Sequence, residues 1–268
     1  MSDSPSGTPL VSADKINSLL SPGVPVFNFD IHDTLSSTSS YLKELAGKKA
    51  YERTVVIATR QTAGRGRMGR QFISPDSGLY FSLLLRPRMP ISDAVFITTA
   101  AAVAMCGAID SLFDCKAGIK WVNDIYIDNK KICGILTEGV FDTDGKLITA
   151  IVGLGVNIFC PEGGFDASIA DKAGALLPAG TDYPFAREKL IAAFLTRFWS
   201  YYRAFPLKNH IEEYAQRSIL TERTVTVNDA DGSYPALVLG IDNRCALHVR
   251  LSDGSERFLS SGEVSLSL

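Results

Sequence analysis

Hydrophobic spacing along the chain changes character several times. The continuous apolar runs "VPVFNFDI", "TVVIAT" and "LYFSLLL" have strand length and predict three strands. "SSTSSYLKELAGK" predicts a short helix with a serine or threonine cap and a stop near Gly47. Residues 92 to 114 predict a long buried helix capped by Ser92. Its run "AVFITTAAAVAMCGAI" is rich in Ala and Thr and leads to Asp110, which marks a core helix and not a membrane span. "GIKWVNDIYI", "KICGILTE" and "LITAIVGLGVNIF" then predict three neighbouring antiparallel strands, with turns at "DNK" and "DTDG". Residues 161 to 181, rich in Gly, Ala and Asp, are expected to form a loop with one helical turn.

A second long helix is predicted after Asp182, with Pro184 in its first turn. Leu190, Ile191, Phe194, Leu195, Phe198 and Tyr202 line one face of it. "KNHIEEYAQRS" predicts a shorter helix. From about Thr221 the pattern becomes short strands and tight turns, expected to form a small barrel-like β domain of the SH3 type. Three parts follow: residues 1–25, Ser/Pro/Gly-bearing and without arginine, as a disordered leader; 26–220 as one large domain; and 221–268 as the β domain.

Composition narrows the function classes. Apolar residues make up 46% and charged residues 21%, as in ordinary soluble proteins. A formal charge of -2 supplies no general attraction to nucleic acid or to an anionic membrane, so any anion must be held locally. Five cysteines, with no C-x-x-C pair and no adjacent histidine, fit a reducing compartment and not zinc. His32, His210 and His248 are too scattered to support a histidine-based triad.

Three segments carry candidate chemistry. "GRGRMG" has the G-x-G-x-x-G spelling, but a dinucleotide turn needs a helix immediately after it, and here "QFISPDSGLYFSLLL" follows. No Walker-type loop is present either. A flexible loop combining glycine backbone with guanidinium charge suits an anion, and a plain basic surface turn stays open on this stretch alone. In "IVGLGVNIF" strand alternation puts Val152, Leu154, Val156 and Ile158 on one face. Gly153, Gly155 and Asn157 fall on the other, an open platform for a flat polar ligand or else a bulge in the sheet. In "KWVNDIYIDNKKICGILTE" Lys120 and Asp124 point the same way, and Asn123 points opposite unless the chain kinks. Lys131 follows the turn, and Gly134 again leaves the surface open.

In this order and spacing, "SSTSS", "GRGRMGR", "KWVND", "KKICGILTE", "VGLGVNI" and the C-terminal "GEVSL" resemble the motif set of biotin protein ligases, over roughly residues 30 to 268. The resemblance implies an α+β fold: a mixed, largely antiparallel sheet flanked by helices, like that of class II aminoacyl-tRNA synthetases, with a C-terminal SH3-like domain. It implies formation of biotinyl-5'-AMP from biotin and ATP with Mg²⁺, followed by transfer of biotin to a lysine of the biotin carboxyl carrier domain of biotin-dependent carboxylases. The setting implied is cytoplasmic. A homodimer stays open, since sheet-edge dimers occur among relatives.

The same resemblance assigns roles. Arg67 would hold the phosphate and retain the adenylate, and Lys131 would lie near the biotin carboxyl and the phosphate; these two are the catalytic candidates. Biotin would meet Ser37, Thr38, Ser39, Gln61, Gly64 and Arg65, with Asp124 near its ureido ring. Lys131, Gly134, Gly153 and Gly155 complete that set. ATP would meet Arg65, Arg67 and Arg70, with adenine against Phe72, Asn123 and Asn157. The Mg²⁺ ligands are not assigned. Two unit anions at about 4 Å repel by roughly 4 kcal/mol at an effective dielectric near 20, so a carboxylate nearing a phosphate needs such cations.

The chain departs from the family pattern at Val122, where proline is usual, at Ser39 for asparagine, at Met68 for arginine and at Cys133 for alanine. A related lipoate or octanoate ligase would lack this arginine-glycine loop and the "KWxND" pairing in the same form. A biotin-responsive repressor would need a helix-turn-helix, and no basic recognition helix precedes the first strand. A non-catalytic binding module on the same sheet would show no turnover.

Overall fold

A computed structural model describes residues 11–229 and 231–266. In chain order the elements are α1 (Ala13–Leu19), β1 (Asn28–Leu35), α2 (Thr38–Gly47), β2 (Thr54–Gln61), β3 (Leu79–Leu85), β4 (Met89–Pro90) and α3 (Val95–Leu112). Next come β5 (Gly118–Lys120), β6 (Asp124–Ile127), β7 (Lys130–Phe141), β8 (Lys146–Val156), α4 (Ala186–Arg203) and α5 (Ile211–Gln216). The C-terminal strands are β9 (Thr224–Asp229), β10 (Gly232–Ile241), β11 (Leu247–Leu251), β12 (Glu256–Leu259) and β13 (Glu263–Leu266).

The main sheet has eight strands in the order β1-β2-β3-β8-β7-β6-β5, with β4 added to β8. β1 and β2 are parallel and the other pairs antiparallel. Strand alternation sorts the side chains into two layers. Val55, Ile57, Phe81, Leu83, Val152 and Leu154 join α3 and α4 in the large core. Val56, Leu84 and Ile151 pack with Leu42 of α2 on the opposite face. α2 covers that face only partly, which leaves room for a pocket beside its N-terminus.

The second sheet has five antiparallel strands, β12-β11-β10-β9-β13, as expected of a separate C-terminal β domain. Its Val225, Val227, Val238 and Val249 belong to the same continuous apolar cluster as the large domain.

Three local expectations are corrected, and a fourth, the core helix, is met. Residues 1–10 lie outside the described residues, but 13–19 of the expected leader form α1. Ser12 caps it by accepting from the Lys15 N–H, and Val11 and Ile16 are buried, so composition concealed a docked helix. Ser92 does not cap α3; a 3₁₀ turn over Ile91–Asp93 precedes the helix, and the Ser92 hydroxyl donates to Asp93. The stretch Ile91–Leu112, at 22 residues, is long and apolar enough to cross a membrane by composition, yet its middle is core. "GIKWVNDIYI" is two strands, because the chain reverses over Trp121–Asn123 and pairs Lys120 with Asp124.

Candidate functional site

The floor of the site is the α2-side face of β7 and β8. Gly134 and Gly155 pair across the two strands. The Phe72 ring lies over them: a Cβ on Gly155 would stand 2.6 Å from that ring, and one on Gly134 3.0 Å. A Cβ on Gly153 would collide with the Ser39 hydroxyl. The absence of three side chains therefore makes a platform for the aromatic ring and lets the α2 terminus approach.

The α2 end is built on a buried hydroxyl chain. Ser37 caps the helix by accepting from the Ser40 N–H. Ser39 and Thr38 both reach the Ser82 hydroxyl of β3, at 3.0 and 2.8 Å. The Gln61 carbonyl oxygen accepts from the Thr38 backbone and hydroxyl, while its amide donates to Ser74. Ser37, Ser39 and Gln61 line the pocket, whereas Thr38 stands behind them. Gly64 lies at the loop's neck, where a Cβ would strike the Phe72 carbonyl and the Ser74 hydroxyl.

The arginine-glycine loop is a hairpin-like excursion. Gln61 bridges Ser74, Arg65 bridges Gln71, and the Gly66 and Phe72 amides donate back across the loop. A 3₁₀ turn at Arg67–Gly69 forms its tip, with Met68 exposed in a left-handed conformation at φ 55°. Each arginine lands on a different element. Arg65 donates to Glu138 of β7 at 3.1 Å. Arg67 donates to the side-chain amide oxygen Oδ1 of Asn123 at 3.1 Å. Arg70 is held by both oxygens of Glu263 in β13.

Opposite the loop, Lys131 pairs with Asp124 at 2.7 Å, and its ammonium stands 5.9 Å from the centre of the Phe72 ring. Lys120 faces the same pocket, and burial lowers its pKa below the ordinary lysine value. The turn carrying Asn123 is fastened residue by residue. The Trp121 indole donates to the Cys245 carbonyl, Tyr214 donates to the Val122 carbonyl at 2.9 Å, and Asn123 exchanges two bonds with Ile135. The turn thus forms without proline at Val122, and it brings Asn123 and Asp124 to one pocket.

Asn157 lies apart. It is buried beneath the neighbouring loop, where its amide donates to the Gly174 carbonyl at 2.8 Å and to that of Lys131, and it does not line the pocket. Cys133 is buried, which pushes its thiol well above the usual value and makes it a packing residue. The sequence pairs Lys120 with Asp124 without giving it a role, and it does not place Trp121 or the Gly262–Val264 edge at the site; all of these line the pocket. "GEVSL" was visible as a motif, but its approach to the loop is a contact between residues far apart in sequence.

A cation-rimmed pocket with a glycine floor, on a largely antiparallel sheet and shared with a second β domain, defines a protein that holds a polar ligand beside an anion. Residues 32–157 match the model of the biotin/lipoate A/B protein ligase family, and residues 222–267 that of the biotin protein ligase C-terminal domain. The bifunctional ligase/repressor BirA of Bacillus subtilis (strain 168) is 35% identical over 237 residues, covering 86% of this chain and 71% of that protein. The biotin--[acetyl-CoA-carboxylase] ligase of Paracoccus denitrificans is 34% identical over 128 residues, covering 47% of this chain and 49% of that one. Among solved structures, the biotin protein ligase of Aquifex aeolicus in complex with biotin and ATP aligns with a TM-score of 0.73 at 26% identity, over 90% of this chain and 98% of that one. The chain belongs to the biotin protein ligase family.

Proposed function

We infer that this protein is a biotin ligase acting in two steps in one pocket. In the first, a biotin carboxylate oxygen attacks the α-phosphorus of ATP; the bond to the β-phosphate oxygen breaks, and pyrophosphate leaves. In the second, the amine of an acceptor lysine attacks the acyl carbon, AMP leaves with the electrons of the acyl–oxygen bond, and the lysine nitrogen loses a proton. The acceptor is a biotin carboxyl carrier domain of a biotin-dependent carboxylase.

The observation that carries this reading is the convergence of Arg67 and Lys131, on separate elements, over a floor of Gly134 and Gly155. Fixed cations there offset the repulsion between carboxylate and phosphate and stabilise the charge that moves onto pyrophosphate. Phe72, lying over the glycines, presents a ring on which a flat base can stack. Ser37, Ser39 and Gln61 supply polar partners for the ureido ring, with Asp124 across the pocket. Asn157, committed to backbone carbonyls, is proposed to support the strand that carries Lys131.

Mg²⁺ is proposed to enter with ATP. Among the described residues no group of three or more His, Cys, Asp or Glu side chains gathers. That suits an ion held chiefly by nucleotide oxygens and water. A cytoplasmic setting is also proposed, where ATP is available and the five unpaired cysteines stay reduced.

The test is transfer itself: the protein, biotin, MgATP and a carrier domain are incubated, and the acceptor lysine is examined by mass spectrometry. Biotin on that lysine, dependent on ATP, is the expected result. An unmodified carrier domain that becomes labelled when lipoate replaces biotin would move the assignment to a lipoate ligase.

A further inference from the structure

The three loop arginines differ in what they rest on. Arg65 and Arg70 meet the carboxylates of Glu138 and Glu263, which balance their charge. Arg67, between them, donates to the neutral amide oxygen of Asn123, and among the described residues no carboxylate pairs with it. The other end of that amide is also committed, since Nδ2 donates to the Ile135 carbonyl at 2.6 Å and the Ile135 N–H donates back to the Asn123 carbonyl at 3.0 Å. The amide orientation is thereby set, with its oxygen toward the loop. The peptide units before Asn123 are pinned by Tyr214 and, through Trp121, by Cys245 of the β domain.

We propose that Asn123 is a positioning residue that holds Arg67 over the pocket without neutralising it, and so retains the adenylate instead of reading adenine. The proposal rests on the ligase reading and extends it. A carboxylate at this position would grip the guanidinium harder but cancel the charge the phosphate needs. An apolar side chain would leave the loop tip without its rigid stop. Each end of the Asn123 amide already makes one bond within the protein, which leaves a single N–H and a single oxygen lone pair for any other partner.

The test is a double-mutant cycle in the full chain, using wild type, Asn123→Ala, Arg67→Ala and the double variant. Two quantities are read: biotinyl-AMP escaping through a spin filter, and biotin-dependent exchange of labelled pyrophosphate into ATP. Asn123→Ala is expected to speed escape about tenfold with KM for ATP changed less than about twofold, and to add less than about twofold once Arg67 is gone. Equal effects on both backgrounds, or a raised KM for ATP with the adenylate retained, would overturn the proposal in favour of a base contact. Asn123→Asp keeps the test open if the alanine variant does not fold: exchange should fall about tenfold and escape should rise toward the rate of Arg67→Ala, because the paired guanidinium no longer attracts the phosphate. Exchange at the wild-type rate or faster in that variant would contradict it. Absence of exchange in the wild type would overturn the ligase reading itself, and is distinguishable because it precedes any substitution.

Discussion

The guanidinium of Arg70 is gripped by both carboxylate oxygens of Glu263, 193 residues further along the chain. A loop from the large domain and an edge strand of the β domain thereby close one side of the pocket together. The pair is partly exposed, so its net contribution is small, about 0 to 1 kcal/mol. Glu263→Ala is expected to raise KM for ATP by about two- to fivefold and to leave the melting temperature nearly unchanged. Unchanged nucleotide kinetics would separate the β domain from the site.

Gly155 has no room for a side chain while Phe72 covers it. Gly155→Ala should displace the ring and weaken ATP binding by about tenfold, with a stability cost of roughly 1 to 3 kcal/mol. Titration calorimetry beside a urea melt separates the two effects. A variant that binds ATP normally would mean that the ring takes no part in holding the nucleotide.

Lys131→Met removes the charge while keeping the stem of the side chain, and it strips Asp124 of its partner. Pyrophosphate exchange should drop by about a hundredfold or more. Biotin binding should weaken as well, because Asp124 loses its ion-pair partner and is left as an unbalanced anion in the pocket. Retention of more than a tenth of wild-type exchange would argue that Lys131 is only the structural partner of Asp124.

His210 tests the packing between α3, α5 and the β domain. Its ring is fully buried, its Nε2 meets the Thr99 hydroxyl at 3.0 Å, and its Nδ1 has no hydrogen-bond partner among the described residues. Burial, reinforced by Lys208, pushes its pKa down to about 4 from the usual 6.5. A histidine held neutral in the folded state favours folding above the unfolded pKa. That advantage is lost as pH falls from about 6.5 toward 4, by at most about 1.4 kcal/mol per pH unit. Urea midpoints between pH 7 and 4.5 should fall more steeply in the wild type than in His210→Gln, and parallel curves would contradict the depressed pKa.

Which features were legible in the sequence follows from how local their causes are. The alternation around Gly153 and Gly155 marked both the buried and the open face of β8, because a period of two and an apolar core leave little choice of register. The loop was separable from a dinucleotide turn because no helix follows it. By contrast, the reversal at Trp121–Asn123 is stabilised by Tyr214, Cys245 and Ile135, partners that no local pattern reveals. Helix α1 left a faint trace in Ser12, Ile16 and Leu19, masked by its Ser/Pro/Gly surroundings. Glu263 could be placed in a motif but not against Arg70, since nothing local joins the two segments.

On the proposed mechanism, these cations bring a carboxylate and a nucleotide phosphate to reaction and keep the mixed anhydride bound. Exchange of labelled pyrophosphate into ATP by the wild-type protein measures that step without any acceptor. The expected result is exchange that requires biotin and declines sharply in Lys131→Met. No exchange with biotin, or equal exchange without it, would contradict it.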